Sequence, residues 1–250
     1  MRNAESSSED LGARAAAFTT TRWSVVVAAG HEDSSQARAA LETLCRTYWY
    51  PLYAYVRRRG QSKHDAQDLI QGFFALLLQR QALQKVEPGR GKFRSYLLTA
   101  LNHFLIDEHD RQQAQKRGGG QAVISLDAHE AEQRYRLEPS DTETPEKLFD
   151  RRWALTLIDG AMERLQQEFA ADNNTLLLQQ LRGFIVDGAD NRPYADVAQQ
   201  VGMSEEAVKK AVQRLRRRYR EAIREEIAQT VATRSEIEEE LRHLVSVLSS

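Results

Sequence analysis

The chain has 250 residues, of which 41% are hydrophobic and 28% charged, with a formal net charge of −1. That is the size of one large or two small soluble domains. A single cysteine, Cys45, excludes an internal disulfide and a CxxC zinc site, and no apolar run approaches the roughly 20 residues of a membrane span. The polar, acid-containing N-terminus is unlike a signal peptide, so a reduced, cytoplasmic setting without membrane contact is expected.

Residues 1–17 are rich in Ser, Glu and Ala and read as disordered. A short helix is expected after Thr20, carrying Trp23, Val26 and Val27. A long helix follows over 34–59, with Leu41, Leu44, Tyr48, Leu52 and Tyr55 at spacings of three and four, Pro51 as a possible kink and Cys45 as a core thiol. Gly60 ends it. Ser62 caps the next helix, which buries Ala66, Leu69, Ile70, Phe73, Leu76 and Leu77 as far as about Leu83. The break "EPGRG" precedes a third helix over 92–115, where Phe93 and Phe104 read as core.

The stretch from Lys116 to Pro145 has three consecutive glycines, two prolines and little periodicity, and 118–144 reads as a flexible linker. A second domain over 145–232 opens on a first-turn proline, Pro145. It has helices expected at 146–171, 174–187, 194–201 and 204–231. The tail, 233–250, places Ile237, Leu241, Leu244, Val245 and Leu248 on one helical face. That face is expected to pack on the C-terminal bundle rather than to bind a regulator. No strand pattern emerges, and the fold class is all-α: two helical bundles, the first over 18–117, joined by the linker.

The near-zero net charge hides an asymmetry. Between Ser204 and Arg224 there are eight basic and three acidic residues; from Glu225 onward there are six glutamates and two arginines. A basic helix followed by an acidic tail points to a polyanionic partner for one part of the chain only.

That basic helix is the second of a pair, "YADVAQQVGMSEEAVKKAVQRLRRR". Two helices crossing in a helix-turn-helix need a small residue at the crossing, a Gly able to take positive φ at the turn, and a branched apolar residue facing back. Ala198, Gly202 and Val208 meet those needs, and Ser204 can N-cap the second helix. Val208, Val212, Leu215 and Tyr219 form the inward stripe. Glu206, Lys210, Gln213, Arg214 and Arg217 form the opposite face. Lys and Arg donate to guanine, Gln pairs with adenine, Glu accepts from cytosine, and further Arg residues hold phosphates. The pattern predicts duplex DNA binding.

Two N-terminal stretches, "HDAQDLIQGFFALLL" and "GKFRSYLLTALNHFLIDEHDRQQAQKR", precede this motif in a fixed order. Together the three resemble the sigma-70 class of RNA polymerase sigma factors, most closely the short extracytoplasmic-function (ECF) group, over about 20–117 and 145–225. The resemblance implies core RNA polymerase and promoter DNA as partners, action as a monomer within the holoenzyme, a possible anti-sigma or other regulator, and neither cofactor nor catalytic site. It places Asp65, Asp68 and Gln71 on the helix that docks on the polymerase clamp. It puts Tyr96 where the family usually has a Trp in the strand-opening helix. Asn102, His103, Arg111, Lys116 and Arg117 would face the minus-ten element, and Lys209, Lys210, Gln213 and Arg214 the minus-thirty-five element. The sequence departs from the family at Gly72, where Glu is common, at Gln67, and at Thr99, Asn102 and His103, where Arg, Arg and Asn are frequent.

Two other classes fit less well. A stand-alone helix-turn-helix regulator would bind as a two-fold dimer and has no use for the docking-type helix. An enzyme reading rests on His103 and Asp107, which at i, i+4 can share a metal. HExxH order and a third ligand are lacking, and "RGGGQ" lacks the Lys-Ser/Thr of a phosphate loop.

Overall fold

A computed structural model describes residues 35–78, 92–114, 128–138, 143–186, 192–231 and 233–249. The expected disordered N-terminus, the helix after Thr20, and Lys116 and Arg117 lie outside the described residues. Within them, all regular structure is helical: α1 (Ser35–Arg58), α2 (Lys63–Leu78), α3 (Phe93–Ala114), α4 (Ala128–Arg136), α5 (Pro145–Ala171), α6 (Thr175–Leu181), α7 (Gly183–Val186), α8 (Tyr194–Val201), α9 (Glu205–Ala228) and α10 (Arg234–Leu248). The chain divides into two compact units. One holds the described residues up to Ala154 together with those from Ala228 onward; the other is Leu155–Ile227.

The first unit is organised around α1, which continues through Pro51. Tyr48, Leu52, Tyr53, Tyr55 and Val56 are buried, with Ile70, Phe73 and Leu77 of α2 and Phe93, Leu97 and Leu101 of α3. The α1 tyrosines solve the problem of placing hydroxyls in a core by giving each one a distant partner. Tyr53 donates to Glu132 at 2.6 Å, Tyr55 to Asn102 at 2.9 Å and Tyr50 to Glu138 at 2.7 Å. The Tyr48 hydroxyl accepts from Trp153 Nε1 at 3.1 Å. Cys45 is a buried core thiol whose ionisation burial pushes up to about 12, with Glu42 adding to the effect. Gly60 takes φ +90° at the end of α1. Ser62 starts α2 by accepting the Asp65 backbone N–H at 3.2 Å.

Several expectations need correction. Leu76 is exposed, because its neighbours Phe73 and Leu77 take the inward positions. The expected linker contains α4 over 128–136, and its Glu132 is buried by ion pairing rather than by an apolar stripe. Glu132 receives Arg57 Nε at 3.2 Å as well as the Tyr53 hydroxyl. The tail helix α10 belongs to the first unit, not to the C-terminal bundle. Its buried line is Ile237, Glu240 and Leu244, whereas Val245 and Leu248 are exposed. The helix expected over 174–187 is two short ones, α6 and α7, parted at Arg182.

The second unit packs Leu165 and Phe169 of α5, Leu178 and Leu181 of α6, Phe184 of α7, Val197 and Ala198 of α8, and Val208, Ala211, Val212 and Leu215 of α9 into one core. Arg164 of α5 ties α9 down through Glu225 and Glu226.

Candidate nucleic-acid interface

The α8–α9 pair is a helix-turn-helix built as its sequence requires. Ala198 and Val208 are buried where the helices cross. Gly202 ends α8 in the left-handed region at φ +66°, which costs glycine nothing. The N–H groups of Gly202 and Met203 both donate to the Ala198 carbonyl, the latter at 3.0 Å. Ser204 Oγ accepts the Ala207 backbone N–H at 3.2 Å and so caps α9. Val208, Val212 and Leu215 are buried and Tyr219 packs at the edge of the core.

The polar face of α9 is exposed at Glu206, Lys210, Gln213, Arg214 and Arg217. A shallow groove of about 440 Å³ runs along it, lined by Ala207, Lys210, Gln213, Arg214 and Arg217. Lys210 is 2.9 Å from Glu206 and Arg217 is 3.9 Å from Glu221, both exposed pairs one turn apart. Among the described residues, Arg214 and Gln213 meet no intramolecular partner.

Not every cation of α9 shares this face. Lys209 turns toward α8, with its ammonium 2.8 Å from Glu205 and 5.7 Å from the centre of the Tyr194 ring. The Glu205 hydrogen bond raises its pKa. Arg216 donates to the Phe184 carbonyl at 3.2 Å and so closes the end of α7. Arg218 pairs with Glu168 and lies 4.8 Å over the Phe169 ring. These two arginines are engaged within the unit, so not all of the basic run is available to a partner. Arg220, exposed and without a partner among the described residues, extends the surface by a turn. The i+3 step from Arg217 was the sequence signal for it.

The N-terminal candidates are less concentrated. On α2, Asp65 and Asp68 are exposed and Gln71 is half-buried. Asp65 also accepts the Ser62 hydroxyl at 2.6 Å, so it serves the helix start. Asp68 has no partner among the described residues. Gly72 lies against α3: a β-carbon there would stand 3.3 Å from Phe104 Cζ.

On α3, at about 100° per residue, Tyr96, His103 and Arg111 share one side and Asn102 does not. Tyr96 is half-buried, its ring stacked on Phe93 with centroids 6.4 Å apart, and burial raises its pKa. His103 is exposed. Arg111 pairs with Glu108 at 2.8 Å. Asn102 is committed internally, accepting from Tyr55 and, at 2.7 Å, from Arg59. Among the described residues no cluster of His, Cys, Asp and Glu could hold a metal, and no helix is long and apolar enough to cross a membrane.

With that geometry in place, the chain can be compared with known proteins. Residues 31–225 match the ECF sigma factor family. The chain belongs to that family. No curated protein and no solved structure matches it. ECF sigma factors are not enzymes, and membership implies promoter recognition and transcription initiation with RNA polymerase. The match ends three residues before α9 does and leaves α10 outside it.

Proposed function

We propose that this ECF sigma factor docks on core RNA polymerase through the exposed side of α2, with Asp68 at its centre and Asp65 and Gln71 beside it. In this reading α9 enters the major groove at the minus-thirty-five element. Gln213 and Arg214 meet base edges there, while Lys210, Arg217 and Arg220 hold phosphates. Tyr96, His103 and Arg111 face the minus-ten element, and Asn102 acts through the α1–α3 contact rather than on DNA.

The observation that carries the reading is the exposed cationic face of α9, with Arg214 unpaired among the described residues, on a correctly capped helix-turn-helix in a chain of this family. Its test is size-exclusion co-elution of the purified protein with bacterial core RNA polymerase, alongside Asp68→Ala. That variant leaves the Ser62–Asp65 helix start intact. Co-elution weakened by Asp68→Ala is expected. A wild-type protein that fails to co-elute at moderate salt sinks the reading and leaves a helix-turn-helix regulator acting alone.

A further inference from the structure

The C-terminal segment lies beyond the family match, yet it holds the first three described residues of the α3 region, one after another. The Phe93 backbone N–H, a first-turn donor with no partner inside its own helix, donates to the Thr230 carbonyl at 3.0 Å. Arg94 donates through Nε and a terminal nitrogen to the two carboxylate oxygens of Glu240, at 3.2 and 3.1 Å. The Lys92 ammonium lies 3.0 Å from the same carboxylate and 3.1 Å from the exposed Glu239. The other terminal nitrogen of Arg94 donates to Asp150 at 2.7 Å, and its guanidinium lies 4.8 Å over the Trp153 ring.

Glu240 is fully buried among these groups. Burial alone would raise its pKa, but the bonds from Arg94 and Lys92 outweigh that and hold it below the usual carboxylate range. A buried charge cluster is a poor source of net stability compared with well-packed apolar side chains. What a two-pronged Arg–carboxylate contact supplies is a fixed distance and angle. Glu240 lies between Ile237 and Leu244, so the placement of α10 that buries those two also meets Arg94 and Lys92. The helix head held in this way carries Tyr96 less than one turn further on, stacked on Phe93.

We propose that Thr230 and α10 together form a positioning element for α3, with Glu240 as the positioning residue. It sets the head of the helix that, on the function proposed above, faces the minus-ten element and that the family resemblance makes the strand-opening helix. Glu240 itself touches no DNA.

The test compares holoenzymes on two templates: a promoter duplex recovered from genomic fragments by transcription with the wild-type holoenzyme, and the same promoter with a pre-opened minus-ten bubble. Glu240→Gln is expected to co-elute with core polymerase like wild type. On the duplex it should open roughly 10- to 100-fold more slowly, the scale of a small misplacement of a positioned group. On the pre-opened template it should match wild type. Glu240→Asp keeps the charge and should recover most of the lost rate. Wild-type opening of the duplex by Glu240→Gln overturns the proposal. So does an equal loss on both templates, or lost co-elution, because Glu240 would then only support the fold. Should Glu240→Gln not fold, Lys92→Met at the rim of the cluster carries the test: it should show the same template dependence, and a wild-type rate on the duplex overturns the proposal. A wild-type protein that forms no holoenzyme refutes the sigma-factor reading instead.

Discussion

Gly72 offers a prediction whose sign depends on a single contact. Glycine inside a helix costs about 1 kcal/mol relative to alanine, so Gly72→Ala should stabilise α2 by about that much if the site were open. It is not open. A β-carbon there stands 3.3 Å from Phe104 Cζ, inside the roughly 3.5–4.0 Å at which carbon atoms attract. The Phe104 ring would have to shift by a few tenths of an ångström, and it already packs on Phe73 with centroids 5.8 Å apart. Crowding of this kind costs about 1–3 kcal/mol in a tight core, and toward the lower end here because Phe104 is only partly buried. The two terms offset, and Gly72→Ala alone should change stability by less than about 1 kcal/mol. In a Phe104→Leu background the obstacle is gone and the same substitution should stabilise by about 1 kcal/mol. Guanidinium denaturation of the four proteins of the cycle, followed through Trp49 and Trp153 in the first unit, measures the difference. Equal stabilisation by Gly72→Ala in both backgrounds would refute the steric argument and leave Gly72 as nothing more than a missing acidic residue.

Three further outcomes follow from the geometry. Ser204→Ala removes the acceptor for the Ala207 N–H and should lower the stability of the second unit by about 1 kcal/mol, read by thermal melting. Arg214→Ala should reduce the salt dependence of promoter binding by the holoenzyme by about 0.9 in log–log slope if Arg214 contacts a phosphate. If it reads guanine instead, the slope should stay and discrimination at one base pair should fall by about 1–3 kcal/mol; no change in either measure contradicts an α9 interface. Burial would raise the Glu132 pKa, but Arg57 and Tyr53 outweigh it and hold it low, so Glu132 stabilises the fold above the ordinary carboxylate range and loses that contribution as pH falls through its depressed folded value. The melting-temperature gap between wild type and Glu132→Gln should therefore be widest near neutrality and close in acid; a gap independent of pH contradicts the ion-pair account.

The second unit was legible because its determinants are local. Ala198, Gly202, Ser204 and Val208 each act within a few residues of their own position, so spacing alone exposed the helix-turn-helix. The first unit was legible only where apolar periodicity carried it, as at Ile70, Phe73 and Leu77. Its remaining contacts join residues far apart in sequence: Tyr53 with Glu132, Arg94 with Glu240, Tyr55 with Asn102. A glutamate destined for burial looks like any solvated glutamate until its cation is known. For that reason α4 reads as linker in the sequence, and the apolar pattern of α10 finds Ile237 and Leu244 but not Glu240 between them or the unit they pack in. The internal partners of Asn102 are hidden in the same way: its family position is visible in sequence, and the Tyr55 and Arg59 contacts are not. Gly72 read as a lost charge because the Phe104 ring it accommodates lies on another helix.

The pairing of charges on α9 bears on how such a face can bind DNA at all. Lys210 with Glu206 and Arg217 with Glu221 are both i, i+4 pairs with open access to water. Exposed pairs of this kind add little to stability and are screened by salt, so they exchange readily for phosphate oxygens. Arg216 and Arg218 differ in kind: Arg216 donates to an α7 carbonyl and Arg218 bridges to α5, so turning either one toward DNA gives up a contact within the unit. The second unit can therefore stay rigid while its outer cations change partners. A good base contact is worth about 1–3 kcal/mol, more than such an exposed pair returns. Glutamates at the start of α9 thus do not block the face. They compensate the helix dipole and lower the positive potential along the first turn, whereas Arg214 and Arg220, further along, meet no carboxylate among the described residues.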